Sequence, residues 1–193
     1  ICDEVYADMT YDAPFCSPFD RKQLRHRTLA VSSISKSHAL PGFRAGWVAC
    51  PAAVTPRLVL VAEAMLFGSQ PFIEDALVVA LTEQHDEVQR MRVAYRERAQ
   101  VLVEAINGSD AVSARMPEGG MFVMVDVRAT KLSGEEFAWK LLDDHNIGVM
   151  PGESFGLGGA GHIRIALTVD ASVLRKACET IRTMAEALIA KAK

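Results

Sequence analysis

The sequence lacks an uninterrupted apolar run long enough to cross a bilayer, so no membrane span is expected. Its four cysteines lie far apart and include no Cys-x-x-Cys pair, which argues against a metal site or a disulfide framework and favours the reducing cytoplasm. The 21 lysines and arginines are outnumbered by 24 aspartates and glutamates, so no positive excess would attract nucleic acid. These absences leave a small molecule as the expected partner.

The chain does contain enough apolar material for a folded core. With 193 residues, of which 50% are hydrophobic, it can form one domain or two small ones. Only Ile1 and Cys2 precede the polar pair Asp3-Glu4, whereas a mean strand has about five or six residues. We therefore expect the chain to be the carboxy-terminal portion of something longer.

Strand and helix patterns alternate along the first half. Residues 28–32 and 46–50 are short apolar runs that predict buried strands. Thr55 followed by Pro56 predicts the N-cap and the first residue of a helix. The apolar face of that helix would contain Leu58, Val61, Ala62 and Met65.

The second half predicts a compact α+β unit that follows a long helix at residues 88–106, which Asn107-Gly108 would end. Its predicted elements are hairpin strands at 112–116 and 121–127, a helix opened by the capping box Ser133 and Glu136, strands at 147–150 and 162–167, and a last helix capped by Asp170. A boundary near Tyr95 gives domains at residues 1–95 and 96–193.

Lys36 is the candidate reactive amine. A lysine with its usual pKa near 10.4 is a poor nucleophile, but partial burial or a nearby cation removes its proton and lets it condense with an aldehyde. Lys36 lies between two apolar strands with Arg44 close in sequence. Ser33 and Ser35 can donate hydroxyls to a phosphate, and Arg44 can bind one with two N–H groups. Local sequence alone leaves a solvated loop lysine as an equal alternative.

Asp3 and Tyr6 can reach one ligand only if the chain turns between them, because residues three apart point to opposite faces of a strand. The end of a parallel strand permits such a turn, and ligands of open α/β sheets bind there. An acid at that position could keep a ring nitrogen protonated while a phenol reached a neighbouring oxygen. The alternatives are a surface acidic pair at Asp3-Glu4 and a rim position for Tyr6.

Arg164 is the candidate anion ligand of the second half. In residues 162–167 the apolar Ile163, Ile165 and Leu167 occupy one strand face, so Arg164 occupies the other and can face a cleft. A carboxylate is the natural bidentate partner of a guanidinium. The alternative is an edge-strand arginine that faces water.

Together these segments resemble the signature of fold-type I pyridoxal-phosphate enzymes, specifically the class I/II aminotransferases of the aspartate aminotransferase superfamily. The similar segments are Asp-x-x-Tyr at 3–6, Ser-x-Ser-Lys at 33–36, Pro-Gly-x-Arg-x-Gly-Trp at 41–47, and residues 150–156 and 162–166. The resemblance covers nearly the whole chain. It implies an α/β fold. The chain would begin with the end of the large cofactor-binding domain, a mostly parallel sheet with flanking helices, and would finish with a small α+β domain. The amino-terminal half of the fold would be absent.

The resemblance also implies a role for each candidate residue. Lys36 would bind the aldehyde of pyridoxal 5′-phosphate and, with Asp3 and Tyr6, form the catalytic group. The implied cofactor contacts are Asp3 to the pyridine nitrogen, Tyr6 to the ring hydroxyl, and Ser33, Ser35 and Arg44 to the phosphate. Arg164 would bind the substrate α-carboxylate.

The implied activity is transamination between an amino acid and a 2-oxo acid by a homodimer. Residues 65–72 are similar to those of arginine:pyruvate transaminases. Two alternatives remain open at this point. One is a pyridoxal-phosphate-dependent carbon-sulfur lyase of the same fold, and the other is the ligand-sensing domain of a transcription regulator.

Overall fold

The computed structural model describes residues 1–83 and 86–191. The chain divides into two compact units, Ile1–Arg92 and Val93–Lys193. Across the described ranges, no helix combines the length and the apolar character needed to cross a membrane.

The first unit contains a small mixed sheet. Its strands are β1 (Cys2–Asp3), β2 (Ala30–Ser33) and β3 (Gly46–Ala49), in that spatial order. β1 runs parallel to β2, with Asp3 opposite Val31, and β2 runs antiparallel to β3, with Ser33 opposite Gly46. The mostly parallel sheet expected from the sequence therefore has, in this chain, one parallel and one antiparallel pairing.

In the described part of the first unit four α-helices begin, and the last of them runs past its boundary. They are α1 (Ile34–Ser37), α2 (Thr55–Leu66), α3 (Pro71–Thr82) and α4 (Asp86–Ile106). The core of the unit is formed by Ile34, Ala45 and Ala80, against which Leu40, Trp47, Ile73 and Leu77 pack. α4 ends where Asn107-Gly108 was predicted to end it, because neither residue favours helix continuation.

The helix α2 is present as predicted, but its start and its environment differ. Val54 takes the N-cap position with a helical backbone, and Thr55 is already helical, so the prediction of Thr55 as N-cap is wrong. The Thr55 hydroxyl instead donates to the Pro51 carbonyl at 3.5 Å. The predicted apolar face is largely uncovered, since Val61 and Met65 are 54% and 74% exposed.

The second unit contains a four-stranded antiparallel sheet. Its strands β4 (Ser113–Ala114), β5 (Phe122–Asp126), β6 (Met150–Pro151) and β7 (His162–Ala166) lie in the order β4-β5-β7-β6. The predicted hairpin is confirmed by the pairing of β4 with β5. The strand predicted at 147–150 is wrong in extent, because pairing with β7 begins only at Met150 and the chain enters a 3₁₀ helix at Gly152.

Alternation along β5 and β7 separates the two faces of this sheet. Val123, Val125, Ile163 and Ile165 are buried, whereas Phe122, Met124 and Arg164 on the other face are only partly buried. The remaining helices are α5 (Gly134–His145) and α6 (Ala171–Lys191). α5 contacts β7 and α6, and the buried stripe of α6 contains Leu174, Cys178, Ile181 and Ala185.

The predicted capping box of α5 is confirmed. The Ser133 hydroxyl accepts from the Glu136 backbone N–H at 3.1 Å, and the Glu136 carboxylate accepts from the Ser133 N–H at 2.8 Å. A serine N-cap of this kind stabilises a helix by about 1 kcal/mol.

Candidate active site

The carboxyl end of the parallel strand pair gathers the polar residues of the first unit. Asp3 is the last residue of β1 and Ser33 is the last residue of β2. Because the two strands are parallel, both side chains lie at the same edge of the sheet. The Glu4 N–H donates to the Val31 carbonyl at 2.8 Å, which continues the pairing to the point where the chain turns away.

The chain does turn between Asp3 and Tyr6. The Val5 N–H donates to the Asp3 carboxylate at 3.2 Å, which is an Asx turn. A 3₁₀ helix, Ala7–Met9, follows, with the half-buried Tyr6 at its N-cap position. This helix contacts α1, and its Met9 is buried. Tyr6 is therefore carried back toward the edge at which Asp3 lies.

Lys36 lies on α1, the short helix between β2 and β3. The Ser33 hydroxyl caps this one-turn helix by accepting from the Ser35 N–H at 3.3 Å. Ile34 is fully buried and fixes the helix to the core, which leaves Lys36 half-buried. Within residues 1–83 and 86–191, no group forms a hydrogen bond or an ion pair with the Lys36 amine.

Arg44 lies in a strained position at the same end of the sheet. It follows the 3₁₀ helix Pro41–Phe43, which contacts α1, and it precedes Gly46, the partner of Ser33. Its backbone is left-handed (φ 54°, ψ 38°), which costs a non-glycine residue about 1–2 kcal/mol. Its Nη1 donates to the Pro41 carbonyl at 2.8 Å, and the side chain is otherwise exposed.

The first unit thus places six of the predicted site residues at or beside one sheet edge. They are Asp3, Tyr6, Ser33, Ser35, Lys36 and Arg44. The seventh, Arg164, belongs to β7 in the second unit.

Arg164 is held between two aromatic rings. Its guanidinium carbon lies 5.0 Å from the centre of the Phe122 ring and 4.2 Å from that of the Phe155 ring. Both distances are within the range of a cation–π interaction. In the part of the chain that the structure describes, no carboxylate pairs with Arg164, so its N–H groups remain available for an anion.

One of the two aromatic residues near Arg164 could have been found from the sequence. Phe122 alternates with Met124, the residue opposite Arg164 on β5, so strand periodicity assigns it to the same face. Phe155 stands in the Pro-Gly-x-x-Phe-Gly segment at 151–156, but nothing local indicates that it folds back on an arginine.

Glu153 is a further residue that the sequence did not single out. Its Oε1 accepts from the backbone N–H groups of Gly134 and Gly161, both at 2.9 Å. The hydrogen bond from Gly161 is the main cause that lowers the pKa of this carboxyl below its ordinary 4.5, against the opposing effect of burial. Its Oε2 is buried and has no hydrogen-bond partner among the described residues.

A cleft of about 530 Å³ opens on the exposed face of the second sheet. Phe122 and Met124 line it, together with Asp126, Arg128 and His162. The Arg128 Nε donates to both Asp126 oxygens at 3.0 Å. This hydrogen bonding lowers the pKa of Asp126. The two side chains on this wall of the cleft are therefore paired with each other.

The sequence model of the family described as "Aminotransferase class I and II" matches residues 1–181. The chain belongs to this aminotransferase family. The arginine–pyruvate transaminase of Pseudomonas aeruginosa is 44% identical over 192 residues, which are 100% of this chain and 49% of that protein. The aspartate aminotransferase of Pyrococcus horikoshii is 26% identical, over 96% of this chain and 48% of the relative. The chain spans about half the length of the curated relatives it matches.

Solved aminotransferase structures share the fold. The aromatic aminotransferase of Pyrococcus horikoshii superposes with a TM-score of 0.91 at 28% identity, over 96% of this chain and 50% of that structure. The aspartate aminotransferase of Rhizobium meliloti superposes with a TM-score of 0.88 at 25% identity, over 95% and 48%. The expected fold class, half of an aminotransferase fold, is confirmed.

Enzymes of this aminotransferase family use pyridoxal phosphate. The residues at the edge of the first sheet fit that group, because an unpaired amine, an exposed carboxylate and a guanidinium with free N–H groups lie on short connections there. These are the donor types that an aldehyde, a pyridine nitrogen and a phosphate require.

Proposed function

We propose that the protein containing this chain catalyses pyridoxal-phosphate-dependent transamination between an amino acid and a 2-oxo acid. The observation that carries the proposal is the half-buried Lys36 amine, which has no partner among the described residues and lies at the edge of the sheet where Asp3 ends β1. When bound, the cofactor supplies an aldehyde and a ring that accepts electrons.

Lys36 has two tasks in this proposal. Its amine would hold the cofactor aldehyde and, once displaced by a substrate amine, its Nζ would carry the proton between the substrate α-carbon and the cofactor carbon. Burial of Ile34 and the Ser33 cap fix the helix that carries Lys36, so Nζ reaches the same place in each turnover.

Asp3 and Tyr6 act on the cofactor ring. The Asp3 carboxylate keeps a proton on the pyridine nitrogen, and the Tyr6 phenol donates to the ring oxygen. The Asx turn after Asp3 supports this assignment because it orients the carboxylate at the strand end. Ser33, Ser35 and Arg44 bind the phosphate, and the left-handed backbone of Arg44 is the kind of strain found at ligand sites.

Arg164 binds the α-carboxylate of the substrate. The support is a guanidinium stacked between Phe122 and Phe155 that no carboxylate of the described residues neutralises. A carboxylate accepts two parallel N–H bonds from such a group, which fixes the orientation of the substrate as well as binding it.

Arginine and pyruvate are the substrates that the comparisons favour. The relative with 44% identity is an arginine–pyruvate transaminase, whereas the aspartate aminotransferase of Pyrococcus horikoshii is only 26% identical. We also propose a cytoplasmic homodimer with residues 1–95 in the large domain and 96–193 in the small one.

Borohydride reduction of the complete protein with pyridoxal phosphate tests the proposal. Mass spectrometry should find the cofactor fixed to Lys36, and a label on another lysine would refute the assignment. Incubation of arginine with pyruvate should then yield alanine and the 2-oxo acid of arginine without ammonia. In a parallel incubation with a cysteine thioether such as S-methylcysteine, release of pyruvate, ammonia and a thiol would instead identify a carbon-sulfur lyase.

A further inference from the structure

Glu153 connects the loop that carries Phe155 to two other parts of the second unit. We propose that Glu153 is a positioning residue: it holds residues 152–161 in place so that Phe155 stacks on Arg164 and keeps that guanidinium ready for a carboxylate substrate. The role of Arg164 in substrate binding rests on the proposed function, whereas the contacts among Glu153, Phe155 and Arg164 do not.

The contacts of Glu153 close the loop at its base. Glu153 lies in the 3₁₀ helix Gly152–Phe155, two residues before Phe155, and its Oε1 accepts from the N–H of Gly161 at 2.9 Å. Gly161 directly precedes β7, and its carbonyl accepts from the Val127 N–H at 3.0 Å. One carboxylate oxygen therefore joins the start of the loop to the strand that carries Arg164.

Close backbone packing makes the loop base sensitive to this contact. A Cβ on Gly152 would lie 2.1 Å from the Gly159 carbonyl oxygen and 2.7 Å from that of His162. The backbones at the two ends of the loop therefore touch with no side chains between them. Specific polar contacts such as those of Glu153 must hold this segment, because glycine backbone supplies little apolar area to bury.

The same oxygen accepts from the Gly134 N–H at the first residue of α5. That N–H is one of the donors that a helix leaves without an internal partner, and the helix dipole favours an anion there. A stabilising cap for α5 is thus the competing explanation of Glu153. Glu136 separates the two explanations, because it caps the same helix through Ser133 and, among the described residues, forms no hydrogen bond with residues 152–161; its charge only repels that of Glu153.

Kinetics of the complete holoenzyme distinguish positioning from capping. Glu153→Ala should raise KM for both the amino acid and the oxo acid about two- to fivefold and leave kcat within about twofold, because a displaced Phe155 weakens carboxylate binding. Glu153→Gln, which keeps one acceptor oxygen, should recover part of the affinity. Glu136→Ala should leave both KM values unchanged. An equal rise of KM in Glu136→Ala, or unchanged KM in Glu153→Ala, would overturn the inference.

Phenylglyoxal labelling of arginines, mapped by mass spectrometry in the complete protein, gives a readout that needs no turnover. Arg164 should react several-fold faster in Glu153→Ala than in the wild type, because Phe155 no longer covers it, and at the wild-type rate in Glu136→Ala. If Lys36 proves not to bind the cofactor, this labelling still decides the positioning role. If the wild type transaminates but labelling of Arg164 is the same in all variants, the inference fails and the proposed function stands.

Discussion

The Phe155 ring lies 4.2 Å from the guanidinium carbon of Arg164, although the two residues belong to different elements. Arg164 is on β7, in the middle of a paired sheet, whereas Phe155 is the last residue of a 3₁₀ helix in the loop before it. β7 therefore fixes the position of the Arg164 guanidinium, and the conformation of the loop at residues 152–161 determines whether the Phe155 ring covers it.

Phe155→Leu should weaken substrate binding. Leucine keeps apolar contact but has no ring quadrupole, so the loss is that of one cation–π interaction, about 0.5–1 kcal/mol at a partly exposed site. We expect kcat/KM for the amino acid to fall about two- to fivefold, mainly through KM. Phe155→Tyr, which keeps the ring, is the matched control, and a similar loss in that variant would contradict the stacking role.

Lys36→Ala should abolish turnover while cofactor binding persists. The variant loses the amine that takes the substrate α-proton, and loss of a general base costs at least about 10²–10⁴-fold. Asp3, Ser33 and Arg44 would remain to bind pyridoxal phosphate. Single-turnover spectroscopy with equilibrium dialysis measures both quantities, and transamination at an undiminished rate would remove Lys36 from the mechanism.

Asp126→Asn should make the acid unfolding profile shallower. Hydrogen bonding from Arg128 lowers the pKa of folded Asp126 below its ordinary 3.8. The stability that this pair contributes is therefore fully present above that value and is lost as the pH falls through the lower, folded pKa. Urea unfolding at several pH values between about 5 and 3 should show a smaller loss in the variant than in the wild type.

Asp143→Asn is the control for that measurement, since Asp143 is exposed and has no ion pair within the described ranges. Its profile should match the wild type. If Asp126→Asn also follows the wild-type profile, the pair contributes nothing measurable to stability.

Gly134→Ala should destabilise the second unit. A Cβ at this position would lie 2.0 Å from the His162 carbonyl oxygen and 2.5 Å from Glu153 Oε2, so α5 would have to move away from β7. Overpacking of this kind costs about 1–3 kcal/mol. Gly148→Ala provides the control, because nothing lies within 4 Å of its Cβ position. Thermal unfolding should therefore show a lower Tm for Gly134→Ala only.

Elements set by local chemistry could be predicted from the sequence. The capping box of Ser133 and Glu136 was predictable because both partners lie within one helical turn. The position of Arg164 followed from strand alternation, which a buried hydrophobic face enforces. The sequence segments of Asp3 and Lys36 were recognised by their resemblance to the family. The parallel pairing of β1 with β2 then brings both segments to one end of the sheet.

Contacts between distant segments could not be predicted. The bond from Gly134 to Glu153 spans 19 residues, and no local pattern reports it. The cap of α2 was wrong because the Thr55 hydroxyl bonds back to Pro51 within the preceding turn. The exposure of the apolar face of α2 could not be predicted for another reason. Periodicity shows that Val61 and Met65 share a side, but not that anything in the chain covers it.

The exposed apolar side of α2 affects how the protein is best expressed. Leu66, Phe67 and Phe72 extend the exposed apolar surface from α2 toward α3, with 70%, 97% and 69% of each residue accessible. Exposed apolar patches promote aggregation of an isolated polypeptide. Expression of these 193 residues therefore benefits from a solubilising fusion or from polar substitutions on the exposed side of α2.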